Sequence, residues 1–102
     1  MSKKDFSNHL ELLKQEEESL LGFLKAKYPM FHNSNFFYRD LQYGVRSFME
    51  KKGIDITYAE AAKLSDAISR ELESKGIFVR MNKTGWKINY PEFATTEPGD
   101  PF

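Results

Sequence analysis

The chain has 102 residues, with 15 lysines and arginines against 15 aspartates and glutamates, no cysteine, and an aromatic content of 15%. That length fits one domain with a core able to fold without staples, and formal neutrality gives the whole molecule no electrostatic pull toward DNA or membranes. The cysteine-free composition excludes disulfide frameworks, thiol nucleophiles and cysteine zinc sites; with no apolar run near the roughly 18 residues of a membrane helix and no secretory pattern, a cytoplasmic protein with no membrane partner is expected.

Phe6, Leu10, Leu13, Leu20, Leu24 and Tyr28 recur at helical spacing, with a gap at Glu17, and Pro29 stops the pattern. The spacing predicts one long N-terminal amphipathic helix from its candidate N-cap Ser7 up to Tyr28, about 30 Å in length. A helix that long covers its stripe either by packing back along its own domain or by pairing with a second copy in a homodimer. The second option makes Leu10, Leu13, Leu20 and Leu24 a partner interface.

Met30 to Asn35 reads as a polar link, and Ser34 or Asn35 is available to cap a second helix. Its apolar stripe is Phe37, Leu41, Val45 and Phe48, widened by Tyr38 and Met49, and Lys51-Lys52-Gly53 ends it. Ile54-Asp55-Ile56 alternates once, and its position suggests a third, edge strand beside the sheet that follows.

Thr57-Tyr58-Ala59-Glu60 has the form of a capping box, in which the Thr hydroxyl accepts from the N–H three residues on and the Glu carboxylate reaches back. Ala61, Leu64, Ile68 and Leu72 then recur at helical spacing up to Lys75-Gly76, a cation followed by a left-handed stop, so a helix is predicted over 58–75. Directly after it, Ile77, Val79 and Met81 alternate with Phe78 and Arg80, and Trp86, Ile88 and Tyr90 alternate with Lys87 and Asn89. A loop over 82–85, with Gly85 at positive φ, sets Met81 against Trp86, Val79 against Ile88 and Ile77 against Tyr90, all on one apolar face. Arg80 and Lys87 become cross-strand neighbours on the other face, where like charges ask for a partner or for solvent.

The predicted fold class is therefore α+β and mostly helical: long helix, second helix, short edge strand, capped helix, C-terminal β-hairpin. Residues 1–90 form one domain with a helical extension at about 1–28. Residues 91–102, with three prolines, a glycine, two threonines and three acids, are expected to be a disordered tail.

In element order, residues 36–90 resemble the winged-helix family. The segment from Ile68 through Arg70 and Leu72 to Gly76-Ile77 is similar to the end of a recognition helix running into the wing. The resemblance implies a DNA-binding element with Arg70 near the groove and the hairpin tip at the backbone. The family also places a turn between two helices, for which Ser65-Asp66 is the position available; a single helix over 58–75 without a helix-turn-helix is the alternative.

Charge adds a separate observation. Lys75, Arg80, Lys83 and Lys87 stand in a stretch from Lys75 to Tyr90 that contains no acid, which leaves the rest of the chain at a net −4. A basic hairpin suits phosphate contact, although lysine on an edge hairpin also discourages sheet-to-sheet association. Trp86 offers a base-stacking surface, but its place in the apolar alternation assigns it to the core. His9 and His32 lie at no metal-ligand or triad spacing and no glycine loop cradles phosphate, so no catalytic residue, metal or cofactor is expected. The expected function is a small non-catalytic binding domain: nucleic-acid binding through Arg70, Lys75, Arg80, Lys83 and Lys87, or protein association through the N-terminal helix.

Overall fold

The computed structural model describes residues 2–28 and 30–91, so the expected tail beyond Pro91 lies outside the described residues. The fold consists of four helices and a three-stranded sheet: α1 (Lys3–Gln15), α2 (Glu17–Lys27), β1 (Asn35–Phe37), α3 (Tyr38–Lys51), α4 (Tyr58–Ser74), β2 (Phe78–Asn82) and β3 (Gly85–Ile88). The mostly helical α+β class follows the sequence reading, while several elements differ from it.

The N-terminal helix is two helices. Glu16, at φ −108° and ψ 32°, ends α1 and begins α2. The break has a packing cause: α1 lies against α4 whereas α2 lies against α3. A straight helix over 3–27 would run about 37 Å along a single line and could not follow both. Glu16 is held at the bend by Lys52 at the end of α3. The cap is also earlier than Ser7, since Ser2 Oγ accepts the Asp5 N–H at 3.1 Å. Leu13, Leu20 and Leu24 are fully buried and Leu10 is half-buried against them, so the stripe fills the protein's own core. Of the residues expected to pair with a second copy, Leu13, Leu20 and Leu24 are thus placed inside the protein's own core, and Leu10 alone stays half-exposed.

The third strand forms from Asn35–Phe37 rather than Ile54–Ile56. Phe36 points inward, its ring 5.9 Å from those of both Tyr28 and Phe78, and two consecutive aromatics suit a pleated edge better than a first helical turn. Phe37 consequently leaves the helical stripe and becomes the extended N-cap of α3, while Leu41, Val45 and Phe48 stay buried as predicted. Ile54–Ile56 is a connection in which Ile56 is buried and its carbonyl accepts from Arg46 Nε at 3.0 Å.

α4 matches the reading most closely. Its capping box is complete, with Thr57 Oγ1 accepting the Glu60 N–H at 3.1 Å and Glu60 Oε1 accepting the Thr57 N–H at 2.8 Å. No turn interrupts it at Ser65, which is buried within the helix. Gly76, at φ +77°, stops it: the Ile77 N–H returns to the Leu72 carbonyl at 3.0 Å and starts the hairpin.

The sheet is antiparallel in the order β1-β3-β2. At the hairpin tip Asn82 pairs with Gly85, in the predicted register, but the following pairs are Arg80 with Trp86, Val79 with Lys87 and Phe78 with Ile88. A bulge at Met81 shifts the ladder by one residue, and each side chain beyond it changes face. Phe78 therefore enters the core at 1% exposure and Val79 faces outward at 42%. Positive φ occurs only at Asn33, Gly53 and Gly76 among the described residues, so the tip is not a primed turn and Gly85 does not take the positive φ expected of it. The bulge supplies the twist that an unprimed turn lacks.

Candidate functional site

The shifted register decides where the predicted binding residues lie. Arg80 shares the inner face with Trp86; its Nε and Nη2 donate to Glu73 Oε2 at 3.0 and 2.8 Å, with the guanidinium 5.1 Å from the Trp86 ring centre. Trp86 Nε1 donates to the same Glu73 oxygen at 2.6 Å. One carboxylate near the end of α4 thus satisfies the buried indole and occupies Arg80, which pins the hairpin to the helix. Lys75 is also engaged, its Nζ donating to Glu17 Oε1 at 2.6 Å and lying 3.5 Å from Glu71 Oε2. The Glu17 hydrogen bond is the main reason its ammonium is held above the usual lysine range.

The remaining predicted cations diverge. Lys83 is exposed at the tip, Lys87 is exposed on the outer sheet face opposite Val79 and Asn35, and Arg70 is exposed on the flank of α4. Arg70, Lys75, Arg80, Lys83 and Lys87 do not line one surface, and the two nearest the helix-hairpin junction are neutralised by glutamates. Arg80 and Lys87, expected to be neighbours, are on opposite faces.

What the structure gathers instead is apolar. The outer face carries Phe37 at 53% exposure, Val79 at 42% and Met81 at 58%, three of the six exposed large hydrophobic side chains among the described residues. Across one row Asn35, Lys87 and Val79 stand side by side; across the next, Phe37 pairs with Gly85. Gly85 is required there by close approach: a Cβ would sit 3.0 Å from the Phe36 carbonyl oxygen and 3.4 Å from Phe37 Cδ1. A depression of about 250 Å³ lies between Phe37 and Met81, reaching Gly85, Phe36 and Trp86 and rimmed by Asn35 and Asn82. Lys87 makes no ion pair among the described residues, so its charge faces solvent beside this depression.

Sequence reasoning missed this face because a bulge has no mark in the alternation. Val79 and Met81 read as core and Phe37 as helix. The available signal was the second alternation, Phe78 with Arg80, which buries the larger ring once Arg80 has an acceptor.

Other polar clusters have structural partners. Tyr38 Oη donates to Asp66 Oδ1 at 2.6 Å, and burial, followed by that bond, raises the phenol above its ordinary value. His32 Nδ1 accepts the Tyr90 N–H at 3.1 Å, a closure between the link before β1 and the end of β3. Among the described residues no group of three or more His, Asp or Glu side chains is placed to hold a metal ion, and no helix is long and apolar enough to cross a membrane. No protein-family model matches the chain, and no curated protein or solved structure does either.

Proposed function

We propose that this protein is a non-catalytic, winged-helix-like binding domain that docks an acidic, phenylalanine-bearing or similarly apolar peptide segment of a partner protein on the outer face of its sheet. The observation that carries the reading is the apolar group Phe37, Val79 and Met81 on the same face as the solvent-facing Lys87, with a depression between Phe37 and Met81. An apolar anchor fits the depression over Gly85, and an acid beside that anchor meets Lys87. A second copy is disfavoured as occupant, because a face packed on itself brings Lys87 toward its own symmetry mate without a countercharge. A cytoplasmic setting belongs to the same proposal and rests on the cysteine-free sequence.

Calorimetric titration of the full chain with an acidic pentapeptide centred on phenylalanine tests it, with the lysine-for-acid peptide as control. Binding is expected in the range of about 10 μM to 1 mM for so small a contact, and Phe37→Ser and Lys87→Glu are each expected to weaken it at least about tenfold. Equal binding of the basic peptide, or none of the acidic one at about 1 mM, refutes the proposal.

Duplex DNA remains as a second reading, supported by topology. Gly76 runs α4 directly into the hairpin, the adjacency that the resemblance implies for a recognition helix and its wing, although the third strand precedes α3 instead of lying between α3 and α4. Its test is a duplex titration at about 50 mM salt, where phosphate contacts give affinity that falls steeply as salt rises.

A further inference from the structure

Between the start of α1 and the middle of α4 lies a cleft of about 560 Å³. Phe6 of α1, half-buried, forms one wall, and Ala67 of α4 forms the floor. Lys3, Lys63 and Arg70 stand around it, against one carboxylate, Asp66, which is already occupied by the Tyr38 hydroxyl. None of those three cations forms an ion pair among the described residues, whereas Lys52, Lys75 and Arg80 are all paired. Lys63 and Arg70 are seven residues apart, hence on the same flank and about 10 Å from each other along the axis, with Ala67 between them.

This arrangement has a chemical reading independent of the sheet face. A flat body lying on Ala67 against Phe6 has a cation at each end, and the volume lies within the range of about 300–1,000 Å³ usual for small-molecule sites. The guanidinium offers a planar fork of donors that matches phosphate oxygens, and an ammonium at the far end adds charge without directional demand. A carboxylate-bearing or neutral ligand uses less of this set: the fork would be met, but the surplus positive charge would not.

We propose that the cleft between α1 and α4 binds a small phosphate monoester carrying a flat aromatic or apolar body, the body on Phe6 and Ala67 and the phosphate at Arg70 with Lys3 or Lys63 nearby. The chemistry is shared by free nucleoside monophosphates and by the terminal phosphate of an oligonucleotide, and the experiment separates them.

Calorimetry and amide-shift titration of the full chain with adenosine monophosphate, adenosine, inorganic phosphate and a 5′-phosphorylated dinucleotide supply the comparison. Adenosine monophosphate is expected to bind at least about tenfold tighter than either adenosine or phosphate, since body and charge act together. Arg70→Gln is expected to reduce that advantage to the level of adenosine, and Ala67→Leu, which fills the floor, to abolish binding of all four ligands at unchanged helical circular dichroism. The dinucleotide binding tighter than adenosine monophosphate identifies the oligonucleotide terminus as the source; the reverse identifies the free nucleotide. Adenosine monophosphate binding no better than phosphate, or binding unaffected by Ala67→Leu, overturns the proposal.

Discussion

Exchanging the two neighbours Phe78 and Val79 for alanine, one at a time, reads the hairpin register directly. Phe78 is 1% exposed, with its ring 4.9 Å from that of Trp86 and 5.9 Å from that of Phe36. Removing such a side chain from water is worth about 2–3 kcal/mol, and the ring pairs add about 0.5–1.5 kcal/mol each. Phe78→Ala is therefore expected to cost about 3–5 kcal/mol, the usual range for a buried phenylalanine. That is a large fraction of the roughly 5–15 kcal/mol available to a domain of this size. Val79 is 42% exposed on the outer face, so Val79→Ala is expected to change stability by less than about 1 kcal/mol. Urea unfolding followed by Trp86 fluorescence and by far-ultraviolet circular dichroism measures both. A loss above about 2 kcal/mol for Val79→Ala with less than about 1 kcal/mol for Phe78→Ala would restore the unbulged ladder and refute the outer face as described.

Further outcomes follow from the same contacts. Ile68 is fully buried on α4, so Ile68→Ala is expected to cost about 2–5 kcal/mol in the same urea assay, and a loss below about 1 kcal/mol would remove that helix from the core. Glu73→Ala strips the acceptor from the Trp86 indole N–H and is expected to cost about 1–3 kcal/mol, whereas Arg80→Ala, which removes an exposed ion pair, costs less than about 1 kcal/mol. Equal losses would mean that the indole bond contributes nothing. At the start of α4, Thr57→Ala is expected to cost about 0.5–2 kcal/mol. Because the Glu60 carboxyl accepts the Thr57 N–H, it is held below the usual carboxylate range. A depressed acid contributes stability above its unfolded value of about 4.3 and loses it as the pH falls through the folded value. Urea midpoints taken downward from about pH 6 should thus fall more in the wild type than in Glu60→Gln, and parallel curves would contradict the capping role.

The parts of the fold that were legible in the sequence are those set by local chemistry. Thr57 to Gly76 carries its start, stripe and stop within itself, and α4 occupies that span with the capping box formed. The parts that were not legible depend on partners distant in the chain. The gap in the apolar stripe at Glu17 marks the place but not the bend, which arises because α1 and α2 face different helices, and Lys52 meets Glu16 from 36 residues away. Phe36 and Phe37 fit a helical stripe as well as a strand until Trp86 and Gly85 are placed opposite them. The bulge at Met81 left the turn pairing intact and inverted the rest of the hairpin, so the charge pattern was read correctly as a list of residues and incorrectly as a surface. Arg80 asks for a partner in the sequence, but the one it has, Glu73, lies on another element at a spacing no motif records.

The outer sheet face is tested most directly by amide spectra of the isotopically labelled full chain, recorded with the acidic phenylalanine peptide and, in parallel, with a short DNA duplex lacking terminal phosphates at about 50 mM salt. A docking face built on Phe37, Val79, Met81 and Lys87 predicts that the peptide shifts the amides of Asn35, Phe37, Gly85 and Lys87 while the duplex leaves the spectrum unchanged. An unshifted spectrum with peptide, together with duplex shifts at Lys63, Arg70 and Lys83 that fade with salt at a slope near 0.9 per phosphate, would contradict it and transfer the binding role to α4 and the hairpin tip.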